Sequence, residues 1–111
     1  MALAPYAYAH EKLVGAMQVM ATGKGSRRQR LALAGRDYLH RLSNRQQHRL
    51  PDEMAASLDN LLEELTSVSP QMRSDDSFEA AARNMHWQKS ERLAQQVFSL
   101  YVAVVELRRN T

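Results

Sequence analysis

The residues with the most obvious chemical potential lie in one basic stretch, Gly23-Lys24-Gly25-Ser26-Arg27-Arg28. A glycine and lysine ahead of a helix can cradle phosphate. The P-loop, however, needs an upstream glycine where Gln18 stands, and Ser or Thr directly after the lysine, where Gly25 stands. No strand precedes the loop, so a nucleotide triphosphatase is excluded. A weaker capacity survives. Arg27 and Arg28 fall in a first helical turn, where the macrodipole disfavours cations, and a bound anion on the free N–H groups would remove that conflict. On a straight helix Arg27, Arg30, Arg41, Arg45 and Arg49 fall within an arc of about 100°, a stripe able to follow phosphates. Ser26, Arg27, Arg28, Arg30, Arg41, Arg45 and Arg49 are therefore the residues for any anion or nucleic-acid contact. Against nucleic acid, Tyr38 is the only aromatic among them, and no helix-turn-helix pair is evident.

Other chemistry finds less support. A carboxylate-bridged metal bundle needs Glu-x-x-His on inward faces, and the chain has none; Asp37-x-x-His40 has the spacing, but Asp37 can equally pair with Arg41 one turn on. His10, His48 and His86 stand apart from one another. No serine sits in a Gly-x-Ser-x-Gly turn, and Asp59 and Glu63, one turn apart on a solvated face, need share no proton. Six residues separate Arg41 from His48, as in small helical nucleases of the HEPN type. Leu42 stands where those nucleases place Asn or Asp, directly after the arginine. The expectation is a protein with no catalytic residue, metal or cofactor.

The elements that would position these residues are helical. Helix one is expected over about 5–22, opening at Pro5, with Tyr6, Ala9, Leu13, Ala16, Met17 and Met20 as its apolar stripe. Helix two is expected over 26–45. Ser26 and Gln29 have capping-box spacing, Leu31, Tyr38, Leu39 and Leu42 form an apolar face, and Gly35 is a weak point. Residues 43–48 are expected to fray. Helix three, 51–67, carries Asp52 and Glu53 in its first turn and a stripe of Met54, Leu58, Leu61, Leu62 and Leu65. Helix four is expected to run unbroken over 76–109, because no Gly or Pro interrupts it. The fold class is all-α: a single-domain antiparallel bundle of about four helices with a long C-terminal helix. Residues 98–105, rich in β-branched and aromatic types, leave a strand as the alternative there.

A chain of 111 residues suits one domain. Zero cysteines exclude a disulfide scaffold and a thiolate site. The longest apolar run, Leu100 to Val105, is far short of the roughly 20 residues that span a bilayer. No signal segment is evident, so a cytoplasmic location without membrane contact is expected. The net charge of +3 hides an asymmetry. Residues 24–49 hold eight cations against Asp37 alone, a net +7, and residues 50–79 hold eight acids against Arg73, a net −7. Two neighbouring helices with complementary faces would produce this pattern.

Helix four carries the function reading. Eleven of the 15 residues from Leu93 to Leu107 are apolar. Phe78, Ala82, Met85, Leu93, Val97, Leu100, Val104 and Leu107 make one broad side, and Trp87, Ala94, Phe98, Val102 and Val105 a second. Trp87, Phe98, Val102 and Val105 lie within about 60° of one another. The expectation is a non-enzymatic interaction protein forming a homodimer through these four residues, with a protein partner as a further possibility. Nucleic-acid or anion binding by the basic second helix is the alternative.

Overall fold

The computed structural model describes residues 6–110, so Pro5 lies outside the described residues. The first element, α1, spans Ala7–Thr22. Its stripe buries Ala9, Leu13 and Ala16 fully and Tyr6, Met17 and Met20 in part. Gly23 ends it. Gly25 turns the chain with φ 92°, a conformation that suits glycine.

The second helix, α2, spans Arg27–Asp37 and begins with the expected capping box. The Gln29 N–H donates to Ser26 Oγ at 3.3 Å, and the Ser26 N–H donates to Gln29 Oε1 at 2.8 Å. It ends eight residues before the expected 45. A 3-10 helix, Leu39–Leu42, follows, and a short α3, Arg45–His48, is capped by Asn44 accepting from the Gln46 and Gln47 N–H groups. The physical reason is burial. Residues three apart eclipse in a 3-10 helix, and here Leu39 and Leu42 both reach the core with no exposure.

The acidic helix, α4, spans Asp52–Thr66, with Asp52 and Glu53 in its first turn, and buries Leu58, Leu61, Leu62 and Leu65. The helix expected over 76–109 is two helices. The first, α5, spans Asp75–Arg83 with Ser74 as its cap; the second, α6, spans Trp87–Arg109 with His86 as its cap. An unbroken 34-residue helix would extend about 50 Å, beyond the 44 Å longest dimension of the whole fold. Breaking it lets α5 pack on α2 and α4 while α6 packs on α1, α4 and α2. Residues 98–105 are helix. Among the described residues the protein is all-helical, with six α-helices in one compact globule and no strand.

The core joins α1, α2, α4, α5 and α6 around Phe78, Leu13, Leu31, Leu58, Leu62, Leu93, Val97 and Val104. Gly35 is a contact point, not a bend. A Cβ there would lie 2.4 Å from the ring of Phe78, which is fully buried. In an open helix Gly→Ala is stabilising by about 1 kcal/mol. Here Gly35→Ala should instead destabilise by about 1–3 kcal/mol, as overpacking does, seen as a lower denaturant midpoint at unchanged slope. An unchanged or raised midpoint would show that Phe78 yields.

His48 closes the turn into α4. It is 1% exposed, its Nδ1 accepts the Leu50 N–H at 3.0 Å, and its buried Nε2 has no hydrogen-bond partner. Its ring is therefore neutral with the proton on Nε2. A second proton would set two N–H groups face to face and strand a cation in the core. Burial pushes its pKa below the ordinary value; the Asp59 carboxylate opposes that and the Arg45 guanidinium adds to it. The stability it confers is full above the unfolded value of about 6.5 and is lost as pH falls through the folded value. Unfolding midpoints of wild type between pH 8 and pH 5 should fall more steeply than those of His48→Gln. Parallel profiles would remove the role. His10, lowered by burial and by Arg108, is present in both proteins and cancels.

Candidate functional site

The structure places the basic residues first around helix ends. Arg27 Nε donates to Ser90 Oγ at 3.0 Å and its terminal nitrogen to the Trp87 carbonyl at 3.2 Å. Arg28 donates to the carbonyls of Arg83 and Met85, at 3.4 and 3.2 Å. Arg30 donates to the Met20 carbonyl at 2.8 Å. The arginines that conflict with the α2 macrodipole thus satisfy main-chain oxygens at the ends of α1 and α5 and in the first turn of α6. Ser26 spends its hydroxyl and N–H on its own capping box.

Further along, the stripe of arginines is divided, because the chain leaves the axis of α2 after Asp37. Arg36 reaches Asp37 and Glu79 at 2.9 and 2.7 Å. Arg41 lies 3.7 Å from Asp75, and Arg45 pairs with Asp59 at 2.7 Å. Basic and acidic blocks therefore meet residue by residue. Arg49 is exposed in a left-handed conformation at the end of α3. Beside Ser26 a cleft of about 950 Å³ is lined by Lys24, Arg28 and Arg83 together with Glu79.

The catalytic spacings separate. Asp37 bonds Arg36, while His40 Nδ1 lies 3.0 Å from Asp75, whose carboxyl is held below the usual range by that hydrogen bond. Arg41 is exposed and His48 is buried, so they present no common surface. Among the described residues no group of three His, Asp or Glu could hold a metal ion, and no helix is long and apolar enough to cross a membrane.

The C-terminal helix is different. Leu93, Val97, Leu100 and Val104 are buried against α1 and α4. On the opposite side Trp87, Phe98 and Val102 are 59, 50 and 38% exposed and Val105 is partly buried, while Ala94 and Tyr101 on the flank pack against the core. Neither α1 nor α2 buries Trp87, Phe98 or Val102. The helix is held from below: His10 stacks on Tyr101 with ring centres 6.1 Å apart, and Arg92 makes a two-pronged bond to Glu64 at 2.8 and 2.9 Å. Met72, 73% exposed, is a further apolar surface residue that periodicity had no means of flagging in its 3-10 helix. Ser90 was also missed, since its role depends on a donor from α2.

No protein-family model, curated protein or solved structure matches the chain.

The arginine joint is testable. Arg27→Met keeps the apolar stem and removes the donors, leaving Ser90 and the start of α6 without their charged partner. The expected loss is about 1.5–3 kcal/mol, with amide-exchange protection falling first in residues 84–90. Wild-type protection there would show the joint to be dispensable.

Proposed function

We propose that the protein is a non-enzymatic interaction protein that self-associates through the outer face of α6. One observation carries this reading: Trp87, Phe98 and Val102, three large apolar side chains on one line, face solvent in the single chain, while the opposite face of the same helix is already packed. Large apolar side chains exposed along one helix face are a common mark of an interaction site. A homodimer is the simplest cover, because a two-fold axis lets one patch seal its own copy. Trp is also among the side chains enriched where interfaces concentrate their energy. A cytoplasmic setting suits a cysteine-free chain of this type.

Anion or nucleic-acid binding by the basic second helix is the weaker proposal. Its support is the cleft beside Ser26 and the exposed Arg49. Against it, Arg27, Arg28, Arg30, Arg36, Arg41 and Arg45 each have a partner within the chain.

Phe98→Asp combined with Val102→Asp tests the self-association reading. Both positions are exposed, so the double variant should keep wild-type helicity while its absolute mass in solution drops from dimer to monomer. Wild-type protein that is monomeric at high micromolar concentration would overturn the reading, as would a dimer unaffected by the two substitutions.

A further inference from the structure

The arginines at the start of α2 are hydrogen-bonded, yet their charge is not neutralised. Arg36, Arg41 and Arg45 each lie within ion-pair distance of a carboxylate. Arg27, Arg28 and Arg30 instead donate to main-chain carbonyls and to the Ser90 hydroxyl, which are neutral acceptors. Lys24 and Arg83 are exposed, and among the described residues neither side chain has a hydrogen-bond or ion-pair partner. Lys24, Arg28 and Arg83 line the cleft of about 950 Å³ between α2 and α5. Glu79, the carboxylate in its lining, is already bonded to Arg36 at 2.7 Å. A cleft walled by charge of one sign concentrates its field and draws counter-ions in.

Along the sequence no tryptophan accompanies these cations, but folding supplies one. Arg27 donates to the Trp87 carbonyl, sixty positions away, and Arg28 to the Met85 carbonyl, both at 3.2 Å. The backbone that carries Trp87 is thereby fixed against the basic end of α2. Trp87 is 59% exposed, and the His86 ring lies 6.1 Å from the indole between centres. Cations beside an open aromatic ring are the two parts of a single-strand site: the cations take phosphates and the ring stacks a base. Resting on the proposal that the basic second helix binds anions or nucleic acid, we infer that the starts of α2 and α6 form a site for single-stranded nucleic acid. Phosphates sit on Lys24, Arg28 and Arg83, and a base stacks on Trp87. A duplex keeps its bases stacked on one another and offers the indole no face; an acidic peptide would use the cations alone. Of the line proposed for self-association only Trp87 is shared, since Phe98 lies about 16 Å further along α6.

Trp87 is the chain's single tryptophan, so its emission reports on this site alone. A short oligothymidylate at low salt should quench it, and added salt should restore it. Lys24→Gln combined with Arg83→Gln removes two unpartnered cations. It should weaken binding and make the salt slope shallower by about 1.4, two contacts at about 0.7 each. Trp87→Ala, followed by anisotropy of a labelled oligonucleotide, should weaken binding roughly 5- to 150-fold, the range for one stacked base. Arg109→Gln, at the far end of α6, removes one charge elsewhere and should leave the slope unchanged; a shift like that of the double variant would mark diffuse charge and overturn the site. Binding that leaves Trp87 emission unchanged, or a double variant of wild-type affinity, overturns the site while leaving anion binding standing. Poly-glutamate of matched charge that binds as tightly as the oligonucleotide overturns the nucleic-acid class. No binding at low salt removes the site and anion binding together, and the absolute mass that tests self-association is independent of each of these results.

Discussion

Three helix ends meet at the start of α2, and three arginines hold them there. Arg28 and Arg30 point away from their own helix start, where the macrodipole is positive, toward carbonyl oxygens at the ends of α5 and α1, and Arg27 reaches the Trp87 carbonyl in the first turn of α6. Helix C-termini carry partial negative charge on unpaired carbonyls, so Arg28 and Arg30, awkward near the start of α2, are favourable at the ends of α5 and α1. The Arg27 bond to Ser90 then fixes where α6 begins.

Packing repeats the arrangement in apolar form. The inner face of α2 is small, with Ala32, Ala34 and Gly35 buried, and it admits the Phe78 ring of α5 at a distance that no Cβ would allow. Outside this contact runs a rim of ion pairs from Arg36, Arg41 and Arg45 to Glu79, Asp75 and Asp59. Exposed pairs of this type contribute little stability each. Their effect is on choice of neighbour: a block of net +7 followed by one of net −7 disfavours any packing that sets like against like.

What could be read from the sequence depended on whether a signal was local. Apolar stripes at three- and four-residue steps marked Leu13 and Ala16 on α1, Leu58 to Leu65 on α4 and Leu93 to Val104 on α6, because periodicity is a property of the segment itself. The Ser26–Gln29 capping box was legible for the same reason. The break at residues 84–86 was not. It contains neither Gly nor Pro, its cap is the imidazole of His86 accepting from the Gln88 N–H, and the Arg83 and Met85 carbonyls beside it accept from Arg28, more than fifty positions earlier in the chain. The early end of α2 was hidden too, since Leu39 and Leu42 suit an α-helical stripe and a 3-10 turn alike. For the arginines, charge and position in a first turn identified a conflict without revealing whether water, an anion or a carbonyl would resolve it.

The early end of α2 also commits the residues after it to the core. Had α2 continued to residue 45 it would have added about two more turns of helix, roughly 12 Å, within a fold whose longest dimension is 44 Å. Instead the chain turns inward to bury Leu39, Leu42, His48 and Leu50, and those residues serve the core and the entry to α4. The described helices that pack on α6 are α1, α4 and α2, and they close its inner face. Phe98 and Val102 lie beyond their reach, in a helix whose 23 residues make it the longest of the six. Trp87, Phe98 and Val102 are thus left on a side of α6 that faces away from its packed residues Leu93, Val97 and Val104.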